Sequence, residues 1–196
     1  MRMPMVSPSQ RVGLFGGSFN PPHEGHLHVA RQGLRRLKLD QVWWIVTPGN
    51  PLKDRIKLAP LWERLDACLA LVHDPAMKIT AFETMLSIHY TAETLRTTKK
   101  RYPNVHFVWI MGADNLTLFH RWERWRDIIY MIPIAIVDRP GSSLSLHSTQ
   151  AISVLSKDRL KESESTILAQ KKPPAWTLLY GPRKILSSTS LRKDES

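Results

Sequence analysis

The stretch Val12-Gly13-Leu14-Phe15-Gly16-Gly17-Ser18-Phe19-Asn20-Pro21-Pro22-His23-Glu24-Gly25-His26 decides the fold of this chain. Its apolar start stops at a double glycine, the pattern of a buried strand entering a tight loop. Pro21-Pro22 interrupts the backbone. Beyond it Leu27, Ala30, Leu34 and Leu37 recur at spacings of three and four, one face of an amphipathic helix over about 24–37. Phosphates bind at such strand–loop–helix junctions, because glycines admit a ligand to the backbone and the helix start offers unpaired amides and a positive dipole end. His23 and His26 are three apart, so both imidazoles share one face of the first turn, placed to donate to phosphate oxygens. A dinucleotide fingerprint, G-x-G-x-x-G, is missing, as is a P-loop; a zinc-protease helix needs a second His at position 27, which is Leu. A tight turn with two surface histidines is the plainer alternative; the double glycine and double proline weigh against it.

Working outward, Val42-Trp43-Trp44-Ile45-Val46 reads as a second buried strand, rich in β-branched and aromatic residues. Leu58, Leu61, Leu65, Leu69 and Val72 mark a second helical face, with Cys68 beside it as a packing residue. Met77 to Phe82 gives a weaker third strand, Ile88 to Arg101 a helix, Val105 to Ile110 a strong fourth strand, Ile132 to Val137 a fifth and Ala175 to Tyr180 a sixth. Near-continuous apolar strands alternating with helices predict a single α/β domain: a Rossmann-like, doubly wound, mainly parallel sheet flanked by helices. Such sheets bind ligands beyond the carboxyl ends of their strands. Residues 1–10 read as a flexible leader, 11–196 as the domain, and 141–172 as a surface excursion with room for one helix.

The 196 residues suffice for a core without disulfide or metal staples. Hydrophobic residues at 42% and charged residues at 23% exclude a disordered chain, and no apolar run reaches the roughly 18 residues of a membrane span. No secretory signal is recognised in the leader, and the single Cys68 cannot form an internal disulfide, which fits a reducing compartment such as the cytoplasm. A net charge of +11 favours anionic partners, whether phosphorylated metabolites, nucleic acid or acidic membrane. Basic and aromatic residues interleave only around 120–126, which weakens a nucleic-acid-binding reading.

A second polar cluster lies near the C-terminus, Ser187-Ser188-Thr189-Ser190-Leu191-Arg192. Ser and Thr cap helices well, and Thr189 and Arg192, three apart, put a hydroxyl and a guanidinium on one side, which suits a polyphosphate. Its alternative is a frayed polar tail.

GGSFNPPHEGH together with SSTSLR resembles the adenylyltransferases of the HxGH nucleotidyltransferase superfamily. Thr47-Pro48 through Lys53, Tyr90-Thr91 with Thr94-Leu95, Met111 to Asn115, Trp122 and Arg139-Pro140-Gly141 make the chain most similar to the bacterial nicotinate-nucleotide adenylyltransferase family, over about residues 11–192. The resemblance implies transfer of the adenylyl group of ATP to nicotinate mononucleotide, with pyrophosphate released and magnesium accompanying ATP rather than held by a protein metal site. It implies ATP contacts from Gly16, Gly17, Ser18, Phe19, His23, His26, Gly112, Asp114, Ser188, Thr189 and Arg192, with His23, His26 and Arg192 at the reacting phosphates. It implies acceptor contacts from Lys53, Tyr90, Thr91, Trp122 and Arg139, with Trp122 stacking on the pyridine ring. Small molecules would then be the partners, with neither nucleic acid nor membrane. The alternatives are an adenylyltransferase for another acceptor, such as phosphopantetheine, and a basic nucleic-acid-binding protein.

Overall fold

A computed structural model describes residues 2–49, 58–138 and 150–180. Seven strands form one sheet: β1 (Arg11–Gly17), β2 (Gln41–Val46), β3 (Met77–Thr80), β4 (His106–Gly112), β5 (Ile134–Val137), β6 (Arg159–Leu160) and β7 (Trp176–Leu179). Their order is β3-β2-β1-β4-β5-β7-β6, and every neighbouring pair is parallel. The helices are α1 (Glu24–Arg36), α2 (Leu61–Leu71), α3 (Phe82–Met85), α4 (Thr91–Arg101), α5 (Ala113–Phe119), α6 (Trp125–Met131) and α7 (Gln150–Leu155).

Side chains alternate across a strand, so each strand feeds two cores. Val12, Leu14, Trp43, Ile45, Phe107, Trp109, Ile134 and Ile136 join residues of α4, α5 and α6 on one face. Phe15, Val42, Trp44, Val108, Ile110, Ala135 and Val137 meet α1, Cys68 of α2 and Leu168 on the other. The sheet is doubly wound, as the strand pattern predicts. Trp43 and Trp44 go to opposite faces, and both are fully buried. The chain leaves β1 toward β2 and β3 but leaves β4 toward β5, so the strand order reverses between β1 and β4. That is the point where a doubly wound sheet opens a crevice at its carboxyl edge.

Three sequence expectations differ from the structure. Residues 2–10, read as a leader, run against the fold: Met3 and Val6 pack on the core, and the carbonyls of Arg2, Pro4 and Met5 accept from Thr80, Tyr102 and Gln41. The described part of the excursion, 150–172, supplies α7, the short β6 and the buried Ala151, Leu155, Leu168 and Ala169. One helix is as expected; the difference is that the segment's few, irregularly spaced apolar residues cover both faces of the sheet. On α2 the buried side is carried by Arg64 and Cys68, whereas Leu69 is 48% exposed. Among the described residues no helix is long and apolar enough to cross a membrane.

Candidate active site

The loop between β1 and α1 is built for close backbone approach. A Cβ on Gly16 would lie 2.6 Å from Cη2 of Trp109, a rigid ring on the adjacent strand β4. Phe19 has φ 46°, a left-handed conformation that side chains seldom adopt. Its ring is buried and wedged against Phe15 (5.4 Å), Trp44 (4.9 Å) and His26 (5.1 Å). Packing of Phe19 therefore dictates the course of Ser18-Phe19-Asn20.

The two histidines cap α1 reciprocally. His23 is the N-cap residue, and its Nδ1 accepts from the Gly25 amide at 3.0 Å. The Nδ1 of His26 accepts from the His23 amide at 3.3 Å. This is the logic of a capping box, in which two side chains satisfy orphan amides of the first turn, with imidazoles in place of the usual hydroxyl and carboxylate. The rings lie 3.9 Å apart between centroids and 32° from parallel. An Nδ1 that accepts carries no hydrogen, so each neutral ring bears its hydrogen on Nε2. Local backbone thus sets both rings in one tautomer, with Nε2 the protonated nitrogen of each. His23 is buried and His26 half-buried.

The neighbouring strand ends at the same edge. Gly112 closes β4 and is the N-cap of α5, and the exposed Asp114 follows in the first turn. Trp122, half-buried, meets Trp109 at 6.1 Å and Phe119 at 5.3 Å, edge to face. Trp109, already in contact with Gly16, thereby links Trp122 to the loop after β1. Of the tryptophans at 122 and 125, Trp125 is the core residue, 7% exposed. Tyr90 is the exposed N-cap residue of α4 and Thr91 its first residue. Just upstream, buried Glu83 accepts from the Thr94 hydroxyl at 2.5 Å, and its carbonyl accepts from the Ile88 amide. Burial pushes the Glu83 carboxyl up to about 7, opposed by the Thr94 hydrogen bond.

Gly16, Gly17, Ser18, Phe19, His23 and His26 thus come together around one loop, with Gly112 and Asp114 at the end of the adjoining strand. Lys53, Arg139, Ser188, Thr189 and Arg192 lie outside the described residues. Among the described residues no group of three or more His, Cys, Asp or Glu is placed to hold a metal ion.

One residue escaped the sequence reading. Arg64, on α2, is 2% exposed, and its guanidinium donates to the carbonyls of Ala59 (2.9 Å), Ser18 (2.7 Å) and Thr47 (2.9 Å). Burial lowers its pKa from the ordinary arginine value, while the nearby Cys68 acts in the opposite direction. Its signal was present: position 64 falls three after Leu61 and four before Cys68, on the buried face.

Comparison with known proteins places this architecture. Residues 14–194 match the family model described as cytidylyltransferase-like. A Brucella abortus protein named "Probable nicotinate-nucleotide adenylyltransferase" is 57% identical over 93% of this chain and 94% of its own length. An Agrobacterium fabrum protein of the same name is 57% identical over 93% of this chain and 98% of its own. The fold is shared with Plasmodium falciparum nicotinic acid mononucleotide adenylyltransferase complexed with NaAD, at TM-score 0.70 and 18% identity, covering 94% of this chain and 83% of that one. With its matched domain and its close relatives agreeing, the chain belongs to the cytidylyltransferase-like family and, within it, to the nicotinate-nucleotide adenylyltransferases.

Proposed function

We propose that the protein transfers the adenylyl group of ATP to nicotinate mononucleotide, giving nicotinate adenine dinucleotide and pyrophosphate, a step of NAD biosynthesis. The observation that carries this reading is the reciprocal histidine cap, which turns both Nδ1 atoms to the backbone at a strand–loop–helix junction, the kind of junction that suits a phosphate. The names of relatives 57% identical over nearly their full length support the choice of acceptor.

The nucleophile is the acceptor's phosphate monoester, whose second pKa of about 6 leaves it mostly a dianion at neutral pH. No strong general base is needed. The barrier is the alignment of two anions and the charge building on the α-phosphate and the leaving pyrophosphate. His23 and His26 donate to the ATP phosphates, His26 nearer the α-phosphate, while the amides of Gly17, Ser18 and Phe19 border them. Ser188, Thr189 and Arg192 take the β- and γ-phosphates. Gly112 and Asp114 serve the adenosine side. Trp122 stacks on the cationic pyridine ring, Tyr90 and Thr91 meet its carboxylate, and Lys53 and Arg139 meet phosphate. Magnesium enters as the counter-ion of ATP, and no protein cage for it is needed. The partners are these small molecules rather than nucleic acid, in the cytoplasm.

The test mixes protein, magnesium and ATP with nicotinate mononucleotide, nicotinamide mononucleotide or phosphopantetheine, and measures pyrophosphate. Release with the nicotinate acceptor is expected, and release only with phosphopantetheine overturns the acceptor. No release with any acceptor, together with salt-sensitive binding of DNA or RNA, overturns the enzyme.

A further inference from the structure

We propose that Arg64 is a positioning residue for adenylyl transfer: its guanidinium holds the Ser18 carbonyl and, through the Ser18–Phe19 peptide, strengthens the Phe19 amide as a donor to ATP phosphate. The inference rests on the functional reading above, and its spectroscopic test stands apart from it.

Arg64 is buried, yet all three of its acceptors are neutral backbone carbonyls from three separate segments: Ser18 in the loop after β1, Thr47 after β2 and Ala59 before α2. Among the described residues no carboxylate pairs with it. Burying a cation on uncharged partners is unfavourable, but the guanidinium supplies the donors for three backbone carbonyls that an apolar residue would leave unpaired. Arginine thus joins three segments and, in doing so, sets a cationic donor directly on the Ser18 carbonyl. The same loop is tied a second time, by the Ala59 amide donating to Oδ1 of Asn20 at 3.1 Å. Between these two ties sits Phe19, whose left-handed backbone needs an outside hold.

A charged donor on a carbonyl draws electron density along the planar peptide, so the N–H at its other end becomes a stronger donor. For the Ser18–Phe19 peptide that N–H is the Phe19 amide. A positive charge sealed behind the loop thus reaches the phosphate without touching it. The bond to Ser18 is 2.7 Å, within the range of charge-assisted hydrogen bonds.

The test uses Arg64→Lys and Arg64→Met in the full chain. Lysine keeps the charge but cannot reach three carbonyls with a planar fork. Phenylalanine amides are labelled with 15N; there are five, so Phe19 is one of few signals. In Arg64→Lys the Phe19 amide proton is expected to move upfield further than the other Phe amides. The kcat should fall about tenfold, with the KM for ATP within about threefold, because the lost interaction strengthens in the transition state. A stationary Phe19 signal overturns the proposal, whether or not the rate falls, because the effect would then not pass through that peptide. A shifted signal with an unchanged kcat overturns it as well. Failure of both variants to fold also counts against it, since an ammonium should still bridge Ser18 and Thr47. Should the wild-type protein release no pyrophosphate with any acceptor, the functional reading falls, while the position of the Phe19 signal still reports the peptide's polarisation.

Discussion

Replacing the histidine cap with an ordinary one separates its two jobs. Asn is among the best N-cap residues, and Gln at the third helical position is a usual capping-box partner. His23→Asn and His26→Gln therefore keep the backbone bonds of the first turn while replacing each imidazole Nε2–H by a carboxamide N–H at a different position and direction. His23→Ala loses the 3.0 Å bond from the Gly25 amide, an expected cost of about 1 kcal/mol. In a domain of this size that lowers the melting temperature by roughly 2–4 °C. His26→Ala loses a longer bond, 3.3 Å, and should cost about 0.5 kcal/mol. His23→Asn and His26→Gln should melt close to wild type. Turnover, by contrast, should fall by about 100-fold or more in all four variants, as when a transition-state donor is removed. Calorimetry and pyrophosphate release read the two quantities on the same samples. If both His23→Asn and His23→Ala turn over at the wild-type rate, His23 is a cap and nothing more. Near-normal rates in folded His26→Gln and His26→Ala would likewise remove the α-phosphate role from His26.

The raised Glu83 carboxyl gives a pH signature: its folded pKa of about 7 exceeds the ordinary 4.5, so the native state binds the proton more tightly. Stability from this group is full below about pH 4.5 and is lost as pH rises through 7. Glu83→Gln should therefore stabilise the protein more at pH 8 than at pH 5, and an equal change in melting temperature at both would contradict it. Cys68, fully buried and pushed up to about 12 chiefly by desolvation, should react with a disulfide reagent at pH 8 only as fast as the chain unfolds; rapid stoichiometric labelling of the native protein would refute this. Gly16→Ala meets the rigid Trp109 ring at 2.6 Å and should cost about 1–3 kcal/mol. Gly33→Ala meets only the end of the Ile110 side chain at 2.6 Å and gains helix propensity, so thermal melts should show the smaller loss.

What could be read from the sequence follows the strength of each local signal. The run from Val12 to His26 carried a strand end, a double glycine and a helix start in fixed order, and β1, α1 and the histidine pair appear there together. The buried strands β2, β4 and β5 were legible because parallel strands covered on both faces are apolar throughout. Short elements were not. The two residues of β6 and the four of α3 span about one period of their patterns, too little for either pattern to repeat. The face of α2 was drawn through Leu69 because an arginine counts as surface in hydrophobic periodicity. The three carbonyls that make Arg64 a buried residue are distant in sequence. The orienting role of the His Nδ1 atoms was equally invisible, since spacing puts two rings on one face without saying which nitrogen each turns to the backbone.

The lateral margins of the sheet bear on how the molecule behaves in a crowded solution. On one flank β6 offers an incoming strand two residues to pair with, and its Arg159 lies over the Trp176 ring and reaches the Tyr180 hydroxyl. On the other, β3 offers four residues with Lys78 among them. A foreign strand would find a ladder too short to hold it and a cation standing in the way. A parallel sheet as apolar as this one is thereby kept from growing sideways by the brevity of its outermost rungs.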